Sequence, residues 1–452
     1  MPRRLHRRQF LMSASAAAAG VLGGGRLGRA RDESPNERIR FACIGVGGKG
    51  DSDTDQAAQC GEIAALCDID ARRLDAKAQK YPHAKPFRDF RELLDAMGDR
   101  IDAVVVSTPD HTHAVIAVAA MTRGKHVYCQ KPLAHSVGEA RRMREVAREH
   151  RLATQMGNQG TAADGFRRGV ELIRSGVLGP IREVHVWTNR PFKYWKQAPD
   201  IVARPAEPPP VPEHVAWDLW LGPAPARPYH PAYHPHNWRG WWDFGTGSLG
   251  DMACHTANLP FMGLELGAPT RVSAASGPVN PETYPAWATI TYEFPARGDR
   301  PPVRLTWYEG ARDGQRNLPD PALFHGRTPT DSGSLLVGAR GSLYSPSDYG
   351  TEQVLLPEAD FSGISPPEPT LPRLGGDNDL SQKREWVAAI RGGPAPLANF
   401  DYAATLTEAM LLGNVAVRVG RPLDYDAQAM RITNVPDAAP LLFPEFRDGW
   451  RI

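Results

Sequence analysis

From residue 38 onward, short apolar runs alternate with amphipathic stretches, the pattern of strand and helix units in a parallel sheet. Residues 39–44 read as a strand, the stretch to about 59 as a helix, 62–67 as a second strand and 70–80 as a second helix. A helix over 88–97, a buried strand over 101–107, a helix over 112–123 and a strand over 126–129 follow. A helix over 136–150 and a strand over 152–156 complete a doubly wound sheet by about residue 158. After one more helix over 164–175 the period falls to two: 181–188, 286–294, 302–308 and 334–337 alternate or are β-branched and aromatic. The expected architecture is therefore α/β, with a Rossmann-type domain over 36–160. An α+β domain over 161–452 is expected after it, built on a large, mostly antiparallel open sheet. Between residues 199 and 235 lie 11 of the 42 prolines, so a Pro/Trp-rich excursion over 190–242 should be a long ordered loop. Two amphipathic helices, 380–391 and 402–419, should return to pack on the body.

The 452 residues are 41% hydrophobic and 23% charged, which excludes a disordered or collagen-like chain. Five cysteines (Cys43, Cys60, Cys67, Cys129, Cys254), with no CxxC pairing, suggest buried thiols and neither a disulfide framework nor a thiolate zinc site. The formal charge of +2 is misleading, because the first 30 residues carry six arginines and no acids; the remainder has 47 basic against 51 acidic residues, a net of −4. No nucleic-acid partner is expected from that balance.

Those first 30 residues change the picture in another way. Arg7-Arg8-Gln9-Phe10-Leu11 precedes a run of small and apolar residues too short and too rich in Ala and Gly to span a membrane. The reading is a twin-arginine export signal, cut between about 19 and 30, with an ordinary basic leader or an uncleaved anchor as the alternative. It implies the export machinery as a partner, folding in the cytoplasm and work in the periplasm or beyond.

Gly45-Val46-Gly47-Gly48-Lys49-Gly50 is a GxGxxG turn placed directly after a strand and opening a helix. Gly45, Gly47, Gly48 and Gly50 would let backbone N–H groups approach a pyrophosphate at the positive helix end. Asp68, 18 residues after Gly50 at the end of the second strand, would accept hydrogen bonds from the adenosine ribose. Its charge favours NAD; Arg72 and Arg73 beyond it keep NADP open. Asp51, Asp53 and Asp55 are explained by the helix dipole.

Two further segments end strands where open α/β sheets place ligands: Ser107-Thr108-Pro109-Asp110-His111-Thr112-His113 and Tyr128-Cys129-Gln130-Lys131-Pro132. Thr108, Pro109, His113, Gln130 and Lys131 are expected to line the cofactor, with Lys131, ahead of a proline whose bond can be cis, also polarising a substrate hydroxyl. Later, a glycine-rich turn opens a helix that carries Asp251 and His255 four apart, hence on one face. A carboxylate-oriented imidazole suits removal of a hydroxyl proton as hydride leaves. Seven of the 11 tryptophans fall between 187 and 242, explained mostly by packing of the excursion; Trp238, Arg239 and Trp242 adjoin the Asp251 helix and are candidates for a sugar wall. Asn158 and Gln159 are candidates for substrate hydrogen bonds. His214, His230, His234 and His236 have no evident third ligand to complete a metal site, and none is expected.

With the segments CDID, STPDHTHA, GKHVYCQKPL, GTGSLGDMACH and NFDYAATLTEAMLLGNVAVRVGRPLDYD, nearly the whole chain after the leader resembles the Gfo/Idh/MocA oxidoreductases. That resemblance implies that Lys131, Asp251 and His255 form the catalytic group. It also implies NAD or NADP chemistry on a small sugar, polyol, cyclitol or glycoside, and a homo-oligomer through the C-terminal sheet. One departure stands out: the acid that usually precedes the lysine is Gln130 here, so a charge able to tune that lysine is missing. Three functions compete: a dehydrogenase of CH–OH groups; a redox-assisted glycosidase or lyase that consumes no net cofactor; and a dinucleotide-holding sensor, which the presence of Lys131, Asp251 and His255 together argues against.

Overall fold

The computed structural model describes residues 38–190 and 194–452. The arginine pair and the export signal read from it lie outside the described residues.

Six parallel strands form the first sheet: β1 (Arg40–Ile44), β2 (Glu62–Cys67), β3 (Lys85–Phe87), β4 (Ala103–Val106), β5 (His126–Cys129) and β6 (Thr154–Met156), in the order β3-β2-β1-β4-β5-β6. Every residue of β4 is buried, as expected of a central strand with helices on both faces. The order reverses between β1 and β4, and at the carboxyl ends of these neighbours lie the Gly45 turn and the Ser107 turn. Side-chain caps fix where the intervening helices begin: Asp70 accepts from Arg72 N, Asp89 from Arg91 N, and Ser136 with Glu139 forms a capping box.

The second sheet contains β7 (Ile181–Thr188), β8 (Arg271–Ser276), β9 (Trp287–Phe294), β10 (Val303–Arg312), β11 (Gln315–Arg316), β12 (Gly333–Gly338), β13 (Gly341–Ser345), β14 (Val354–Leu356), β15 (Leu423–Asp426) and β16 (Arg431–Ile432). Its path is β14-β13-β12-β7-β10-β9-β8-β15-β16, with β11 on β10; the β7–β10 pair is parallel and the other pairs are antiparallel. The sheet is thus mixed and mostly antiparallel. The periodicity did not announce β3, β8, β11 and β13–β16, because most are short or only half covered and owe their extension to pairing with a neighbour.

The excursion is ordered among its described residues but almost without regular structure: a short helix, Trp217–Leu221, and a 3-10 turn, Asn237–Gly240. Trp217 and Trp220 stack at 4.7 Å, and Tyr233, Trp241 and Phe244 complete an aromatic core of its own. A bridge between Asp70 and Val215 ties this core to the first sheet's helix layer. The two late helices are Asn378–Ile390 and Phe400–Val419. From the first of them, Trp386 packs on Phe41 and Tyr128 at 5.7 and 5.8 Å and donates its indole N–H to Ala153 O, completing the core on one face of the first sheet.

Candidate functional site

At Gly45 φ is 77°, and a Cβ there would stand 2.7 Å from Ser107 O; at Gly50 one would stand 1.8 Å from Gly45 O. Both positions therefore demand glycine, and the turn leaves the N-terminus of the helix Lys49–Ala58 facing a cleft. That cleft is lined by Gly45, Gly47, Asp68, Thr108, Pro109 and Thr112 and roofed by Trp220, His234 and Pro235 of the excursion and by Trp450 near the C-terminus. Arg73 lies across Gly47, where its Cδ would be 2.3 Å from an added Cβ. The Asp68 carboxylate accepts from Val46 N and Asp70 N, each at 2.9 Å, so it also braces the turn it follows. Burial raises its pKa against those two hydrogen bonds. Each oxygen keeps a further lone pair for a ribose hydroxyl. A bare glycine turn at a helix N-terminus with a buried acid beside it fits a dinucleotide, held by the turn's backbone and by Asp68.

Asp68→Ala should weaken NAD binding at least about tenfold, since hydrogen bonds to a charged group contribute about 1.5–3 kcal/mol, and should narrow the preference for NAD over NADP. Titration with both cofactors measures this, and unchanged affinities would reject the assignment.

Of the non-glycine residues expected to line the cofactor, Asp68, Thr108 and Pro109 line this cleft, and His113, Gln130 and Lys131 do not. His113 is fully buried, with Nδ1 2.8 Å from Pro132 O and Nε2 2.8 Å from Thr108 O, so it pins the two ligand-facing turns together. Gln130 is turned inward: its Nε2 donates to Asp53 and its Oε1 accepts from Lys131 N.

The other half of the site joins the end of β5 to the helix Gly247–Thr256. Lys131, followed by a cis bond to Pro132, donates from Nζ to Asp251 Oδ1 at 2.6 Å and to Asp251 O at 3.1 Å. Asp251 therefore holds the lysine and forms no hydrogen bond to His255, contrary to the expected orienting pair. Its second neighbour is Arg239, whose Nε lies 3.4 Å from Oδ1 and whose Nη1 donates to both oxygens of Asp110 at 3.1 Å. Burial would raise the Asp251 pKa, but Arg239 and Lys131 hold it well below the usual carboxylate range. His255 is 3% exposed, its ring edge-on to Tyr349 at 4.8 Å, and its Nδ1 is buried without a hydrogen-bond partner among the described residues. Burial first, then the Lys131 charge, lowers its pKa well below 6.5, so the ring is neutral at neutral pH.

The expected substrate residues divide. Gln159 donates to Tyr349 Oη at 3.4 Å and leaves Oε1 buried and unpartnered beside His255's neighbour. Asn158 is wholly buried, donating to Cys254 O and accepting from Gln382, so it braces the Asp251 helix. Arg239 is spent on two carboxylates, with Trp238 and Trp195 over its guanidinium at 4.3 and 5.8 Å; Trp238 serves that stack. Trp242 is 3.8 Å from Tyr284, its indole donates to Asn280 O and Arg418 lies over its ring at 5.2 Å, so these partners are not Lys131, Asp251 or His255. Sequence reading gave no role to Asp110, Arg190 or Tyr349. Arg190 lies on Tyr194 at 3.5 Å with Nε 3.9 Å from Asp251 Oδ2. Asp110 lay inside a motif, but Arg190 and Tyr349 sit in loops with no spacing signal.

Two family profiles match the chain, one described as the NAD-binding Rossmann fold of an oxidoreductase family over residues 39–158, the other as its C-terminal α/β domain over 166–299. The inositol 2-dehydrogenase of Salmonella typhimurium strain LT2 is 31% identical over 126 residues, 27% of this chain and 37% of that protein. A glycosyl hydrolase family 109 protein of Shewanella sp. strain ANA-3 is 29% identical over 206 residues, 39% and 44% of the two chains. The chain thus spans less than half the length of these two relatives. Among solved structures, the aldose-aldose oxidoreductase of Caulobacter crescentus, complexed with glycerol, superposes with a TM-score of 0.57 at 18% identity, covering 86% of this chain and 99% of that one. The WlbA dehydrogenase of Bordetella pertussis, in complex with NADH and UDP-GlcNAcA, gives 0.59 at 16% identity with the same coverage. These two likenesses concern the fold. With the two profiles together matching more than half of its residues, the chain belongs to the Gfo/Idh/MocA family of oxidoreductases, whose N-terminal part is an NAD-binding Rossmann fold.

Proposed function

We propose that the protein is a dehydrogenase that moves a hydride between NAD and a CH–OH or ketone carbon of a sugar, polyol or cyclitol. The observation that carries this reading is the Lys131–Asp251 contact of 2.6 Å beside a neutral, buried His255, an ammonium just past the end of β5 and a base on the helix Gly247–Thr256 brought together. Bound NAD supplies the two-electron oxidant. The Lys131 ammonium, held by Asp251, would polarise the substrate hydroxyl, and His255 would take its proton. The roof over the dinucleotide cleft would exclude water and slow exchange of the cofactor.

A second reading has one specific support, the relative described as a family 109 glycosyl hydrolase. It would make the oxidation transient and the net chemistry bond cleavage. The first is favoured because it needs only the hydride-transfer group that Lys131, Asp251 and His255 form, whereas the second also needs an acid for the leaving oxygen. The same proposal includes export through the Arg7-Arg8 leader and a homo-oligomer through the ten-stranded sheet, whose outer face leaves Thr289, Thr291 and Tyr308 only half covered.

One preparation tests these points together. Protein recovered from the periplasm should carry NAD(H) by mass spectrometry and weigh more than one chain by light scattering. Given a panel of sugars, polyols and glycosides, it should form NADH and a keto product in equal amounts. Aglycone release with little NADH would favour the second reading, and no oxidation or cleavage of any carbohydrate would sink both.

A further inference from the structure

The residue before Lys131 is tied to a buried carboxylate elsewhere in the chain. Asp53, on the first helix, is fully buried, and four donors occupy its carboxylate. Lys49 Nζ and Lys383 Nζ reach Oδ1, and Ser107 Oγ and Gln130 Nε2 reach Oδ2, all at 2.8 Å. The helix dipole does not account for this arrangement, nor for Asp51 and Asp55 on the same helix, which pair with the buried Lys77 at 2.5 and 2.9 Å. Since a carboxylate accepts only, Gln130 must present its NH₂ to Asp53 and its Oε1 to the Lys131 amide, 3.2 Å away. Gly157 makes the space, for a Cβ there would stand 2.7 Å from the Gln130 amide. Lys383 is as buried as Asp53, and it also bonds Gln56 and lies over Tyr128 at 4.3 Å. Lys49 bonds Asp379 as well, so the two lysines and two aspartates balance in charge.

We propose that the Asp53–Gln130 pair, anchored by Lys383, positions the backbone from which Lys131 reaches Asp251. The proposal makes Asp53, Gln130 and Lys383 positioning residues. The neighbouring side chain on the same late helix serves the opposite wall: Gln382 donates to Asn158 Oδ1 at 3.4 Å, and Asn158 donates to Cys254 O in the helix of Asp251 and His255. A glutamate at 130 would set two carboxylates against each other, whereas exchanging acid and amide between the two positions would restore a donor facing an acceptor.

The test uses the full-length protein with Gln130→Glu, Asp53→Asn, both together, and Gln130→Met, and needs no substrate, so it stands or falls separately from the proposed reaction. Thermal midpoints are read at pH 6 and pH 8, and amide exchange is read over residues 126–135. Gln130→Glu should lose midpoint between pH 6 and pH 8, as its paired carboxylates are forced to ionise, and should exchange at least about tenfold faster. That is the size of coupling found within one hydrogen-bonded network. The double variant should recover wild-type exchange and a midpoint flat with pH. Gln130→Met, which keeps size and adds no charge, should lose protection with no pH step, and it decides the case if the glutamate variant does not fold. Wild-type behaviour of both Gln130 variants, or a double variant no better than Asp53→Asn alone, would overturn the proposal.

Discussion

Replacing His255 or Lys131 by alanine should lower turnover by about 10²- to 10⁴-fold, the usual loss for a general acid/base group, and leave NAD affinity unchanged. The reason is spatial: both side chains face the Asp251 wall, while the glycine turn and Asp68 form a separate cleft. The pH dependence adds a second signature. Burial and Lys131 push the His255 pKa well below 6.5, and the base is the neutral ring, so the oxidation rate should be full at neutral pH and fall only as the medium turns acidic. That acid limb should vanish in the His255 variant. Retained turnover, or NAD binding lost along with it, would disprove the assignment; stopped-flow absorbance at the NADH band, with cofactor titration, reads both.

Asp251→Asn should destabilise the protein although it is isosteric. It keeps the shape but leaves Lys131 and Arg239 facing an amide in a site where the Asp251 side chain is 9% exposed. Removing one partner of a buried ion pair costs about 3–5 kcal/mol, and since Lys131 is 19% exposed the lower end applies, about 3 kcal/mol. The sign with pH follows from the depressed pKa. The carboxylate stabilises the fold fully above its unfolded value near 3.8 and loses that contribution as pH falls through the lower folded value. Urea unfolding of variant and wild type should differ most at neutral pH and converge below about pH 4; equal stability at pH 7 would show that Asp110 alone satisfies Arg239.

The parts of this architecture that follow a local rule could be read from the chain. The GxGxxG turn, the fully apolar β4 and the period-two strands β7, β9, β10 and β12 each carry their own pattern, so the Rossmann sheet and the mostly antiparallel one were both foreseeable. Lys131, Asp251 and His255 were legible because motif and helical spacing put them at strand ends and on one helix face. What stayed hidden depends on partners far apart in sequence. That Asp251 grips Lys131 and not His255 is decided by a contact across 120 residues, and the role of Asp53 by Lys383, 330 residues away. Arg239 looked free for a substrate until Asp110 came within 3.1 Å of it. Trp242 adjoined the right helix in sequence, yet its ring turns toward Tyr284.

Trp386 carries a consequence for how the protein can be taken apart. A fragment ending near residue 158 would contain all six strands of the first sheet and the whole glycine turn, and it would still be an incomplete molecule. It would lack the indole that fills the space over Phe41 and Tyr128, and Asp53 would lose one of the two ammonium groups that neutralise it. Filling that space matters on the scale of about 3–5 kcal/mol for a buried tryptophan, a large share of the 5–15 kcal/mol that keeps a typical domain folded. The nucleotide-binding half is therefore not an exchangeable cassette. Grafted onto another catalytic half, it would need that partner to bring its own tryptophan and lysine on a returning helix, and a lesion in the last quarter of the chain would be felt where the dinucleotide sits.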